Sequence, residues 1–282
     1  MARNYYYLVS SLPDLLIDDS KNVPAFRTVV GEVMDELSTE DREFVSAMMR
    51  PVDNRNLVNM LEQNSEEFDD RGNYSREELA AAVRMPGDLP EYMQVFMSAH
   101  KESRQLFPGL SALDQLTWLF YDAMAESGND FSRNWFEFDA NLRNVAVGIN
   151  IRKELGHIEA LATDRDRPAA LTVVGRGDAA EAVLRSTAPD FGLASSLPWV
   201  EKVNALSKGG LTDMEKGLDE LRWGMLDELS PLDYFQAETV AVFMVKLQIV
   251  YRWLKLDPVT GREKLDKLVS ELMESFVMPE GF

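Results

Sequence analysis

The sequence contains no cysteine, which excludes disulfides, thiolate metal sites and a cysteine nucleophile. Histidine is nearly as scarce, with only His100 and His157 present, so a histidine-based triad or a histidine-rich metal centre has almost nothing to draw on. Positive charge is in short supply: 29 Lys and Arg stand against 48 Asp and Glu, a net charge of −19. Nucleic-acid binding is thereby excluded as a function class, because neutralising phosphates requires a basic surplus. Long apolar runs are missing too. The best one, residues 237–256, is interrupted by Lys246, Gln248 and Arg252 and falls short of the about 18–20 uninterrupted residues that a bilayer requires. The opening MARNYYYLVSSLPDLLIDD has a short apolar run broken by Pro13 and no small-residue cleavage pattern, so no secretory signal is expected. A cytoplasmic protein is expected, reaching the inner membrane only through protein partners. Strand signals are also sparse, and the class expected is all-α.

What is present is a succession of helical patterns in 282 residues, 45% of them hydrophobic, enough to bury a sizeable core. The organising stretch is residues 131–162. Phe131, Trp135, Phe138, Leu142, Val145 and Ile149 recur at steps of four and three, which places them on one stripe of a long helix. Asp139, Asn141, Arg143, Asn144 and Arg152 lie among or beside them, and any of these that is buried must find hydrogen bonds. Ser38 or Thr39, Ser75 with Glu78, Ser111, and Thr212 with Glu215 read as helix N-caps. The Met49-Arg50-Pro51 step reads as a helix stop, and 262–277 reads as a final amphipathic helix. Residues 163–210 are looser, with a β-like run at Val173-Val174. Three helical units are expected, 1–110, 111–210 and 211–282, or else one continuous unit.

Candidate chemistry is thin. Glu154 and His157 have the spacing of a di-iron bundle ligand pair, but such a site needs that pair twice, and His100 follows Met97 where an acid is required. Val174-Gly175-Arg176-Gly177-Asp178 resembles a shortened dinucleotide loop without the strand–helix series that would build its sheet. No phosphate-cradling loop ending in Lys-Ser or Lys-Thr occurs. Asp18-Asp19, Glu66-Glu67 and Asp69-Asp70 read as solvated loop acids. The expectation is a structural or interaction protein with no cofactor or metal, and not an enzyme.

Two hexapeptides, Val52-Asp53-Asn54-Arg55-Asn56-Leu57 and Phe138-Asp139-Ala140-Asn141-Leu142-Arg143, share an apolar residue, an Asp and then Asn-Leu, a weak internal repeat. The order Asp139, Asn141, Leu142, Arg152, Lys153 resembles the repeats of the central-stalk socket protein of V/A-type rotary ATPases, found in both prokaryotes and eukaryotes. Glu238, Lys246 and Arg252 look similar to that family's last long helix, although Leu247-Gln248 stands where the family has a Glu. More closely, YYYLVSSLPDLLIDD from Tyr5 is similar to the start of a bacterial family that accompanies V-type ATPase genes and stands in for the central-stalk socket. The resemblance implies pseudo-repeated helical bundles in an elongated or funnel shape. It implies a non-enzymatic adaptor that links the rotating shaft subunits to the membrane proteolipid ring. Asn56, Asp139, Asn141, Arg143, Arg152, Lys153, Lys246 and Arg252 are then its candidates for internal polar networks or interfaces. The alternative is an acidic helical scaffold for another cytoplasmic protein.

Overall fold

The computed structural model describes residues 4–17, 26–63, 68–155, 173–231 and 234–255. Among them are twelve α-helices, one short 3-10 turn and no strand, so the fold is all-α. In chain order the helices are α1 (Tyr6–Ser11), α2 (Phe26–Glu36), α3 (Thr39–Ala47), α4 (Arg50–Glu62), α5 (Arg76–Arg84) and α6 (Glu91–Lys101). They continue as α7 (Ala112–Ala125), α8 (Asp130–Leu155), α9 (Asp178–Arg185), α10 (Trp199–Leu206), α11 (Leu211–Leu229) and α12 (Ala237–Lys255). The last turns expected of the central helix, residues 156–162, and the final helix at 262–277 lie outside the described residues.

Side-chain caps fix four of the helix starts. Ser38 accepts the Asp41 N–H, Ser111 accepts the Asp114 N–H, and Ser75 with Glu78 forms a complete capping box. Each satisfies donors that the first helical turn leaves without partners. Asn129 does the same for α8, its Oδ1 accepting the Ser132 N–H at 2.9 Å. The break expected at Met49-Arg50-Pro51 separates α3, which ends at Ala47, from α4, and Pro51 sits in the first turn of α4, where its missing N–H costs nothing. One start differs from the sequence reading. Thr212 does not cap α11, because that helix begins at Leu211 after Gly210, which offers no side-chain cap.

The apolar stripe of α8 is buried along its whole length, from Phe131 through Trp135, Phe138, Leu142 and Val145 to Ile149. It packs against α7, α9, α10 and α11. The second spine is α12, with Val240, Ala241, Met244, Leu247 and Val250 among its buried residues. Burial on nearly every side is the mark of a core helix, and α12 packs on α2, α3 and α11. Because α12 meets the first helices of the chain and α7 meets α4, helices on either side of residues 110 and 210 share one hydrophobic core. The chain's start is fastened to the same core. Tyr5 is buried, its N–H donates to Phe235 O at 2.7 Å, and its hydroxyl donates to Asp41.

Val173 and Val174 are buried without forming a strand. The loop that follows turns through Gly175 at φ +79° and Gly177 at φ +126°, conformations that suit glycine alone among common residues. It is a tight turn into α9. No helix among the described residues is long and apolar enough to cross a membrane.

Candidate functional site

The helices α4, α7, α8, α11 and α12 surround a cavity of about 820 Å³. Its walls are charged. On α11, Glu215, Asp219 and Arg222 follow one another at steps of four and three, which sets them on one face of the helix. Arg222 Nε donates to Asp139 Oδ1 of α8 at 2.8 Å, and its Nη1 donates to Asp219 Oδ1 at 3.0 Å. Tyr121 of α7 donates its hydroxyl to Asp139 Oδ2 at 2.8 Å. From α12, Trp253 Nε1 donates to Asp219 Oδ2 at 2.9 Å, while Arg252 reaches the Asp219 carboxylate at 3.2 Å and also pairs with Glu215. Arg143 of α8 pairs with Asp114, whose own position is set by the Ser111 hydroxyl at 2.6 Å.

The electrostatics of this network are self-consistent. Burial alone would favour a neutral Arg222, but Asp139 and Asp219 outweigh it and raise its pKa above the ordinary arginine value. Burial, then the charge and hydrogen bond of Asp139, push the Tyr121 hydroxyl well above its usual range, so it remains a donor. A network in which buried members are satisfied is stiff, since each side chain is held by partners on a different helix.

A second set of contacts closes the cavity from the side of α4. Asn56 donates its amide to Asp69 O at 2.8 Å and accepts the Asp69 N–H at 3.0 Å. Arg71 donates to the Asp69 carboxylate and, through Nη1, to Gln248 O of α12 at 3.1 Å. Gln248 returns a bond to Arg71 O at 3.0 Å. Burial raises the Asp69 pKa, but the Arg71 hydrogen bonds and charge overcome it and bring the carboxyl down to about 2. Deeper in, Asp53 is fully buried and accepts from Asn73 Nδ2 at 2.6 Å, Asn73 N at 2.8 Å and Tyr74 N at 3.3 Å. Burial outweighs those donors and the Arg50 charge, and lifts the Asp53 pKa to about 7.

The expected residues thus separate. Asp139, Arg143 and Arg252 line the cavity, and Asn56 anchors the loop beside it. Arg152 lies elsewhere, donating to Ser186 O and Ala188 O and stacking 3.9 Å from the Phe191 ring. Lys153 donates to Ser207 O at 2.9 Å. Lys246 pairs with Asp227 and sits 4.8 Å from the Trp223 ring. These three pin α8 and α12 to their neighbours, away from the cavity. Asn141 is half-buried, and its side chain makes no hydrogen bond among the described residues. The buried asparagine is Asn144, which donates to Val174 O at 2.8 Å and accepts its N–H at 3.0 Å. Arg222, Asp219 and Tyr121 do not stand out in the sequence. The i, i+3 spacing of Asp219 and Arg222 on a half-apolar helix is the one signal that points to that pair, and nothing points to Tyr121.

Of the other candidates, His157 lies outside the described residues, and His100 packs beside Phe96 on α6 with ring centroids 5.8 Å apart. No group of three or more His, Asp or Glu among the described residues is arranged to hold a metal ion.

These features define a single-core, all-helical protein with a charged cavity open to solvent. The chain belongs to the DUF2764 family, described as proteins of unknown function, whose model matches residues 1–275. No curated protein and no solved structure matches it.

Proposed function

We propose that this chain is a non-enzymatic central-stalk adaptor of a V/A-type rotary ATPase, linking the rotating shaft to the proteolipid ring on the cytoplasmic face of the inner membrane. The observation that supports it is the meeting of Asp139 and Arg252. Both are positions on which the resemblance to the central-stalk socket rests, and both stand in the wall of one cavity, joined through Arg222 and Asp219. A part that passes torque needs helices that do not slip past one another. Ion pairs spanning α7, α8, α11 and α12 resist that slip, because moving any one helix leaves a charge without its partner. The net charge of −19 suits a basic surface on shaft or ring.

Leu211, 78% exposed at the rim of the cavity, is the place to test it. A photo-crosslinking amino acid there, in native membranes, is expected to capture a rotor-shaft subunit. Capture of only non-ATPase proteins sinks the reading.

The acidic scaffold for a different cytoplasmic protein is favoured by another feature. Tyr6, Tyr7 and Tyr234 are exposed at the junction of α1 and α12, with the Tyr6 and Phe235 rings 4.4 Å apart. Exposed aromatic groups of this kind anchor protein partners. The same crosslinker at Tyr7 distinguishes the two, because an adduct outside the rotary assembly favours the scaffold.

A further inference from the structure

The cavity reverses the charge balance of the chain that builds it. Its lining holds six cations, Arg55, Arg71, Arg143, Arg222, Arg252 and Lys255, against four carboxylates, Asp114, Asp139, Glu215 and Asp219, in a protein whose acids outnumber its bases 48 to 29. Five of the cations are engaged: Arg143 with Asp114, Arg222 with Asp139, Arg252 with Glu215, and Arg71 and Lys255 with Asp69 just behind the wall. Arg55 is not. It makes no side-chain hydrogen bond or ion pair among the described residues, and it lines the cavity as an exposed residue, open to an incoming ligand. Desolvation and the neighbouring Arg71 charge both lower its pKa, Arg252 lowers it further, and only Asp69 opposes them.

A guanidinium does not shed its proton to escape such a setting. The like charges therefore repel one another across the cavity, and a bound anion would remove that repulsion. Guanidinium forks fit phosphate oxygens two at a time. The volume, about 820 Å³, falls within the range of about 300–1,000 Å³ typical of small-molecule sites, and is larger than one phosphate fills. Trp135 and Trp253 share the lining, so the space also admits a planar ring.

We propose that the cavity binds a small molecule carrying two or more phosphates, with Arg55, Arg71 and Arg252 as the recognising groups. This goes beyond the adaptor role and does not depend on it.

Calorimetry and thermal melts of the purified full-length protein with pyrophosphate, tripolyphosphate and ATP, with citrate and sulfate as controls, test the proposal. Saturable binding of an oligophosphate that raises Tm and weakens with added salt is expected. Arg55→Gln should leave the unliganded Tm unchanged or higher, since no side-chain hydrogen bond or ion pair is lost and a like-charge repulsion is relieved, and should weaken binding about tenfold or more, the worth of a charge-assisted hydrogen bond. Tighter binding of ATP than of tripolyphosphate identifies a nucleotide as the source, and equal binding an inorganic chain. The proposal is overturned if no oligophosphate binds saturably at millimolar concentration. It is equally overturned if citrate or sulfate binds as well, or if Arg55→Gln binds as tightly as the parent or melts lower without ligand.

Discussion

Asp139 on α8 and Arg222 on α11 face each other at 2.8 Å, and the same guanidinium reaches Asp219 at 3.0 Å. One arginine thus bridges two carboxylates on different helices, of which Asp219 is almost wholly buried and also pairs with Arg252.

Removing that arginine leaves Asp139 without an ion-pair partner among the described residues and leaves Asp219 to Arg252 alone. Arg222→Met is expected to cost about 3–5 kcal/mol, as for other broken buried pairs, read as a lower urea midpoint at unchanged slope. Tyr121→Phe removes one hydrogen bond to a charged acceptor and should cost about 1.5–3 kcal/mol. A loss below about 1 kcal/mol for Arg222→Met, the range of a surface pair, would show that the network does not hold α8 and α11 together.

Asp53 gives a pH dependence with a definite sign. Its folded pKa, raised to about 7 by burial, exceeds the unfolded value of about 3.9. The native state therefore holds a proton that the unfolded chain has released. The stabilisation is complete below about pH 4 and is lost as pH rises through 7, at no more than about 1.4 kcal/mol per pH unit. Asp69 works the other way. Its folded value of about 2 makes its contribution complete above about pH 4 and lost as pH falls toward 2. Between about pH 4 and 7 the stability difference between parent and Asp53→Asn should thus shrink or change sign, because Asn cannot titrate. Parallel stability curves across that window would contradict the assignment.

Two glycines inside helices should respond oppositely to the same substitution. Gly148 of α8 faces α9, and an added Cβ would lie 2.6 Å from Val183 Cγ1 and 2.8 Å from Phe191 Cζ. Gly148→Ala is expected to destabilise by about 1–3 kcal/mol through overpacking. Gly31 of α2 has nothing within 4 Å of the same position, and Gly31→Ala should stabilise by about 0.5–1 kcal/mol through helix propensity. Thermal melts of the two variants check both signs.

The weak repeat in the sequence has a physical counterpart, but not the one its letters indicate. Asn56 on α4 pairs through both amide groups with Asp69, in the loop leading to α5, and Asn144 on α8 pairs in the same way with Val174, in the loop leading to α9. Asn141, the letter-for-letter match, makes no such pair among the described residues. Asn144→Ala should cost about 1–3 kcal/mol, the penalty for a buried group left without its bond. Asn141→Ala should stay within about 0.5 kcal/mol. Equal effects in denaturant titrations would remove the distinction.

These residues also show where legibility ends. The α8 stripe and the caps at Ser38, Ser75 and Ser111 are readable because their information is local, a period or a side chain three residues from the donor it satisfies. The all-α class follows from the same local signals. Beyond its i, i+3 spacing from Asp219, Arg222 is not readable. Within DELRWG it looks like any exposed helix arginine, and its role comes from Asp139, brought beside it only by the packing of α8 on α11. The cavity is hidden for the same reason, since Arg55, Arg71 and Arg252 come from a helix, a loop and another helix that no spacing rule connects. The sharing of one core across residues 110 and 210 depends on α12 reaching back to α2 and α3, a long-range contact without a local signature.

The most direct test of the adaptor role is affinity purification of the tagged, full-length chain from native membranes, followed by identification of the proteins retained. Rotary ATPase shaft and ring subunits should be recovered together with it, and Arg222→Met should reduce their yield. Recovery of the chain with no rotary ATPase subunit from membranes that contain the enzyme would contradict the role.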